Sequence, residues 1–429
     1  MLELILASLQ VDYAFVVAFC ISIIQVMVIV FIGAVLSKLG YMDNDKQKWL
    51  SKLNLTFFTP CLLFSNIASV ISVERLIDFW SIPVFYVLFV SISWTLSYIA
   101  CSLFRVENHH KRFVSACVMF SNANSLPVAI IASLAVSEAG KKLYWDSDDS
   151  QSSISARGIS YVLFFGLFGN ILRWSYGYNL LQQKNEEEDN SSVETLRNSQ
   201  DEESALSERF NRQCYGSTSS SSSGSHDTMV SDHSAKLSDA SVSLKSRLLK
   251  LLQSIQQCMS PPLYAALLAL FVGLIPSVKH VFYKGFLHQS FTRAIDSCGK
   301  VSVPLVLVCL GAQLKHIQET QPSQDKRYRK PVFLSIFVRM ILVPLCVLPL
   351  VFSFHKWGGV FSKLAEDPIF IVSMVIVGCT PTAINLAQIT QVNGAFEQEM
   401  LSVLFWSYGI FCIPICTLVV FLALWMVST

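Results

Sequence analysis

Two short polar runs inside otherwise apolar stretches hold what chemistry this chain offers. One reads SNANSLP over 121–127 and the other TPTAIN over 380–385. A proline within a helix deletes a backbone hydrogen bond and clashes with the preceding turn. The flanking Ser121, Asn122, Asn124 and Ser125, and likewise Thr380, Thr382 and Asn385, supply side chains that can satisfy the freed groups. In lipid such a break is tolerated only where it is buried in protein or lines a cavity. Two breaks meeting near the bilayer midplane would turn half-helix N-termini inward, where their positive dipole ends favour a carboxylate or a similar anion. The plainer alternative is that each proline only kinks a packed helix.

Charged residues at depth are few. No Asp or Glu lies deep in any apolar stretch; Asp12, Asp78, Asp296, Asp367, Glu397 and Glu399 all sit near edges. Cation coupling normally calls for a carboxylate at depth, so the pattern disfavours a cation exchanger and suits an anion carrier. Lys300 and Arg339 lie deeper, with Arg173 near the end of a stretch. Lys300 can neutralise an anionic substrate or pair with Asp296 one helical turn back. Arg173 is expected to snorkel to the interface, and Arg339 to face phosphate, cap carbonyls or serve the substrate. His109 and His110 read as solvated loop residues.

The remaining motifs are negative. The 12 cysteines form no CxxC pair and read as buried thiols, so neither metal nor cofactor is expected. No nucleotide-binding or hydrolase signature is present, which argues against an enzyme. A net charge of +2 gives no reason to expect nucleic acid.

The elements that must position these residues are apolar and long. Only 14% of the 429 residues are charged, against about 25% in soluble domains. Ten candidate membrane spans fall at 13–37, 52–72, 79–104, 113–137, 158–181, 259–279, 293–314, 331–354, 368–390 and 399–427. Each is near or beyond the roughly 18–20 residues that cross a bilayer core. Between the fifth and sixth lies a Ser-rich, acidic segment that cannot bury enough apolar surface to order itself. The domains are therefore 1–181 with five helices, a disordered cytosolic loop at 182–256, and 257–429 with five more. The loop ends in a short amphipathic stretch at 243–257. An odd number of spans per half means that related halves would be inverted, and mid-span prolines recur: Pro60 with Pro304, Pro127 with Pro381. Lys and Arg in the short loops after spans one, three and seven place those loops, and the Ser-rich one, in the cytosol.

The strings LNLTFFTPCLLFSNIA, SNANSLPVAII, ISYVLFFGLFGNILRWSYGYNLL, CTPTAINLAQI and LFWSYGIFCIPI resemble the auxin efflux carrier family. They are most like its PIN-LIKES branch and the fungal relatives of that branch. The resemblance implies an all-α membrane protein of ten helices in two inverted five-helix repeats, with helices four and nine broken at a crossover. It implies an elevator-like division into scaffold and moving parts, and transport of a small organic anion of the indole-3-acetic acid type. By position, Asn122, Asn124, Pro127, Pro381, Thr382 and Asn385 would form the crossover site, with Lys300 a further candidate. The first break reads SNANSLP where plant members carry a glycine-rich run. The branch sits in the endoplasmic reticulum and the wider family also in the plasma membrane; homodimers are a family tendency. A rival expectation is a non-transporting adaptor that works through its cytosolic loop.

Overall fold

A computed structural model describes residues 13–123, 125–145, 149–182, 260–320 and 326–428. The loop expected at 182–256, beyond its first residue, lies outside the described residues, as does the amphipathic stretch at 243–257. Among the described residues all regular structure is helical, apart from one isolated bridge.

In chain order the helices are α1 (Tyr13–Lys38), α2 (Asn44–Val70), α3 (Ser81–Leu103), α4 (Asn108–Met119), α5 (Ser125–Val136) and α6 (Gln151–Leu180). The second half holds α7 (Pro261–Leu274), α8 (Pro276–Tyr283), α9 (His288–Gln313), α10 (Arg329–Val360), α11 (Pro368–Cys379), α12 (Asn385–Asn393) and α13 (Glu397–Ser428). Six of these (α2, α3, α6, α9, α10 and α13) are long and apolar enough to cross a membrane, and the bent pair α7–α8 makes a seventh. The chain is an all-helical, multi-pass membrane protein. Helices α5 and α11 have 12 residues each, too short to cross alone. Each is half of an expected span that is interrupted.

Local sequence explains the ends. Ser150 caps α6 by accepting from the Ser153 amide, while the Ser153 hydroxyl accepts from the Ser150 amide. Asp367 caps α11 by accepting from the Ile369 amide. The sixth expected span, 259–279, is not one helix: the chain turns by 104° between α7 and α8. Ile275 precedes Pro276, is pushed out of the helical region and adopts φ −95°, ψ 107°.

Two groups of helices can be distinguished, in contact with each other where α1 meets α5 and α2 meets α6. One contains α1, α2, α7 and α9; the other contains α3 to α6, α10, α11 and α13, with α12 touching both α2 and α9. The tightest crossing in the first group is between α1 and α9. A Cβ on Gly33 would stand 2.2 Å from the Val308 carbonyl oxygen, and one on Gly311 would stand 1.9 Å from that of Val30. Each helix thus needs a glycine where the other's backbone approaches.

Among the described residues five helical segments contain a π turn, at Asn54–Phe58, Arg173–Gly177, His288–Thr292, Val338–Leu342 and Ser407–Phe411. Such turns insert one residue into an α-helix and gather at functional sites. Three of the five carry a residue that reaches the two breaks.

Candidate functional site

The break between α4 and α5 crosses the break between α11 and α12. Ser121 and Thr382 form an antiparallel bridge. The Asn122 amide donates to the Pro381 carbonyl and the Ala383 amide to the Phe120 carbonyl, both at 2.9 Å. Backbone groups released by each break are thus satisfied by the other, as a membrane interior demands. The hydroxyls do what their positions suggested. Thr382 donates to the Cys117 carbonyl at 2.9 Å and Thr380 to that of Val377 at 3.1 Å. The two prolines are not equivalent in place: Pro381 lies within its break, whereas Pro127 is the third residue of α5, where a missing amide is harmless.

Arg339 and Arg173 hold the crossing. Arg339 is 3% exposed and donates to three carbonyls: Thr380 at 2.8 Å, Gly378 at 3.0 Å and Val118 at 3.2 Å. Of the roles open to it in sequence, carbonyl capping is the one observed. Arg173 does not snorkel. It is 2% exposed, donating to the Ser121 carbonyl at 3.1 Å and to the Asn170 side chain at 3.2 Å. Its helix runs on to Leu180, so the arginine lies within the bundle rather than at the end of a span.

Tyr408 was not singled out in sequence, yet it ties the two breaks together. Asn122 Nδ2 donates to the tyrosine hydroxyl at 2.8 Å, and that hydroxyl donates to the Thr382 carbonyl at 2.9 Å. A signal for it existed. Trp174-Ser175-Tyr176-Gly177 and Trp406-Ser407-Tyr408-Gly409 are the same four residues, each at a π turn.

Against the crossing lies a cavity of about 180 Å³. Asn122, Ser125, Leu126, Ala129, Ile384 and Tyr408 line one side; Gln25, Val26 and Ile29 of α1 with Val303, Pro304 and Leu307 of α9 line the other. The glycine-locked pair α1–α9 is therefore one wall, and the broken helices are the opposite wall. A smaller, wholly aliphatic and aromatic recess adjoins it, sharing Val26, Leu307, Ile384 and Tyr408.

Of the sequence candidates, Asn122, Pro381 and Thr382 meet at the crossing, and Asn122 also faces the cavity. Asn385 opens α12 and Pro127 is buried in α5. Asn124 lies outside the described residues. Lys300 stands apart: its side chain is 73% exposed and pairs with Asp296 at 2.6 Å, and it does not line the cavity.

A second buried polar cluster joins the two helix groups. The Thr59 hydroxyl lies 3.0 Å from that of Ser302 and accepts from Gln388 Nε2 at 3.0 Å, while Asn54 donates to the Ser302 carbonyl. Nearby, Ser51 donates to Gln391 at 2.7 Å, Gln391 to Gln313 at 3.1 Å, and Gln313 to the Glu397 carboxylate. The amide chain runs from α2 through α12 and α9 to α13. Of the two histidines expected to be solvated, His109 is exposed as expected, whereas His110 is not. The His110 side chain is only 14% exposed and stands 3.7 Å from both Glu107 and Glu399. His109, ahead of the apolar part of α4, stacks on Phe396 at 4.4 Å. Partial desolvation against Phe396, helped by the neighbouring His110, holds the His109 imidazole below its usual range.

Crossed, mutually bonded helix breaks facing a cavity inside a multi-pass helical bundle define a membrane transporter. A family model described as membrane transport protein matches residues 18–420, and the chain belongs to that family, the auxin efflux carriers. It is 35% identical to an uncharacterized transporter of Schizosaccharomyces pombe over 95% of each chain, and 33% identical to one of Saccharomyces cerevisiae over 93% of each. It is also similar to the protein PIN-LIKES 2 of Arabidopsis thaliana, at 23% identity over 90% of each chain.

Proposed function

We propose that this protein is a secondary transporter or uniporter of a small organic anion, and that the cavity at the crossed breaks is its substrate site. The observation that carries this reading is the cavity's make-up. Asn122 and Ser125, the latter opening α5, make one wall polar, Gln25 adds an amide from α1, and the remaining lining is aliphatic apart from the Tyr408 ring. An anionic group would lie at the polar end, near the helix start, with an apolar body against Val26, Leu307 and Ile384. Indole-3-acetic acid has that form, and the similarity to PIN-LIKES 2 makes it the first compound to try.

Ten spans in two inverted halves remain our reading of the architecture. It is supported by the crossing of α4–α5 with α11–α12 and by the Trp-Ser-Tyr-Gly run recurring at π turns in α6 and α13. Transport would then carry the crossing past the α1–α9 wall. An endoplasmic reticulum location follows from the PIN-LIKES resemblance and is checked by imaging the tagged chain.

The decisive experiment is uptake of labelled indole-3-acetic acid into proteoliposomes, comparing wild type with Asn122→Ala/Thr382→Val. Saturable uptake that the double variant loses supports both substrate type and site. Uptake retained in the variant sinks the site, and absence of uptake in wild type removes this substrate.

A further inference from the structure

Four half-helix ends meet at the crossing: the C-terminal ends of α4 and α11, and the N-terminal ends of α5 and α12. Left alone, the negative and positive dipole ends would roughly cancel. They are not treated alike. Val118 belongs to the last turn of α4, Gly378 to the last turn of α11, and Thr380 caps α11; Arg339 bonds the carbonyls of all three. Arg173 adds a bond to the Ser121 carbonyl just beyond α4. Among the described residues the positive ends receive no such compensation. No acidic residue occupies the first turn of α5 or α12, and the residue before α12, Ile384, offers no side-chain cap.

We infer that Arg339, assisted by Arg173, is a positioning residue for charge selectivity: it cancels the negative helix ends and leaves the cavity biased towards anions. Among the described residues neither guanidinium has a carboxylate partner, although both are almost fully buried. A buried arginine without a counter-charge is costly and marks function more often than packing. The Nε of Arg173 is buried without any hydrogen-bond partner. Each arginine also lies in a π turn, Arg173–Gly177 or Val338–Leu342, so the helix is locally widened where the side chain leaves it.

This inference rests on the crossing being the transport site, but it predicts a local potential that can be read without any substrate. Ser125 lines the cavity and is exposed to it. With Ser125→Cys in the full-length protein, reaction rates are measured for an anionic sulfonatoethyl and a cationic trimethylammonioethyl methanethiosulfonate. Labelling is quantified on the peptide containing position 125, and the rate ratio is normalised to free cysteine. The ratio cancels changes in thiolate fraction and in access common to both reagents.

The expected ratio favours the anion over free cysteine. Adding Arg339→Gln should lower it by about tenfold, whereas Arg339→Lys, which keeps the charge, should preserve it. A purely structural arginine would slow both reagents together and leave the ratio unchanged; that result overturns the inference. Should Arg339→Gln not fold, Arg173→Gln gives the same reading with fewer bonds lost. A ratio at or below that of free cysteine in the parent protein overturns the inference without any arginine variant. Failure of indole-3-acetic acid uptake alongside an anion-favouring ratio would instead condemn the substrate reading and leave this one standing.

Discussion

The Asn122 side chain donates to the Tyr408 hydroxyl at 2.8 Å, and the same hydroxyl donates onward to the Thr382 carbonyl at 2.9 Å. One oxygen on α13 therefore couples both broken segments. Tyr408→Phe keeps the ring and removes the coupling. We expect a loss of about 1–3 kcal/mol, because a buried carbonyl loses its donor and an amide loses an acceptor. Thermal unfolding in detergent measures the loss. An unchanged midpoint would show that the hydroxyl is dispensable.

The α1–α9 crossing gives a steric prediction with an internal control. Gly311→Ala drives a methyl group to 1.9 Å from the Val30 carbonyl oxygen, so the helices must separate. Overpacking of this kind costs about 1–3 kcal/mol. Gly409→Ala meets only the flexible end of Met27 at 3.6 Å and should be close to neutral. Equal stability of the two variants would contradict the close approach.

Thr59 of α2 and Gln388 of α12 are hydrogen-bonded at 3.0 Å. A double-mutant cycle with Thr59→Val and Gln388→Leu should return a coupling of about 0.5–3 kcal/mol, since removing both partners leaves less unsatisfied than removing one. Additive single effects would mean that the bond contributes nothing in solution.

His109 gives a prediction in pH. Its folded pKa is depressed, so its contribution to stability is complete above the unfolded value of about 6.5. That contribution is lost as pH falls through the lower folded value, because protonation then favours the unfolded chain. Unfolding midpoints at pH 7.5 and 5.5 should differ more for wild type than for His109→Gln. An identical difference would assign the pH dependence to other groups.

Sequence reasoning reached the breaks because polar residues and prolines are conspicuous in apolar stretches. It centred the interruption of span four a few residues late, on the easily seen Pro127, whereas the chain has left α4 by Phe120 and the Asn122 amide already bonds the Pro381 carbonyl. It misjudged Arg173, because hydropathy registers where a helix becomes polar and not which neighbour's carbonyl a guanidinium can reach. The bend at Ile275 was readable from Pro276 but was hidden by the apolar composition on both sides. The Thr59–Gln388 cluster was out of reach altogether: its members are 329 residues apart and only the fold brings them together.

A π turn also offsets everything that follows it. Each carries one residue more than the α-helical repeat, so the two ends of α13 run out of phase by about 100°. A lipid-facing stripe drawn along one half of that helix cannot be continued through Ser407–Phe411 into the other. Deleting one residue there would return the helix to an unbroken α repeat, yet rotate one end against the other and swing Tyr408 away from Asn122. The extra residue is a setting of azimuth: it aims one hydroxyl while leaving the length of the span nearly unchanged.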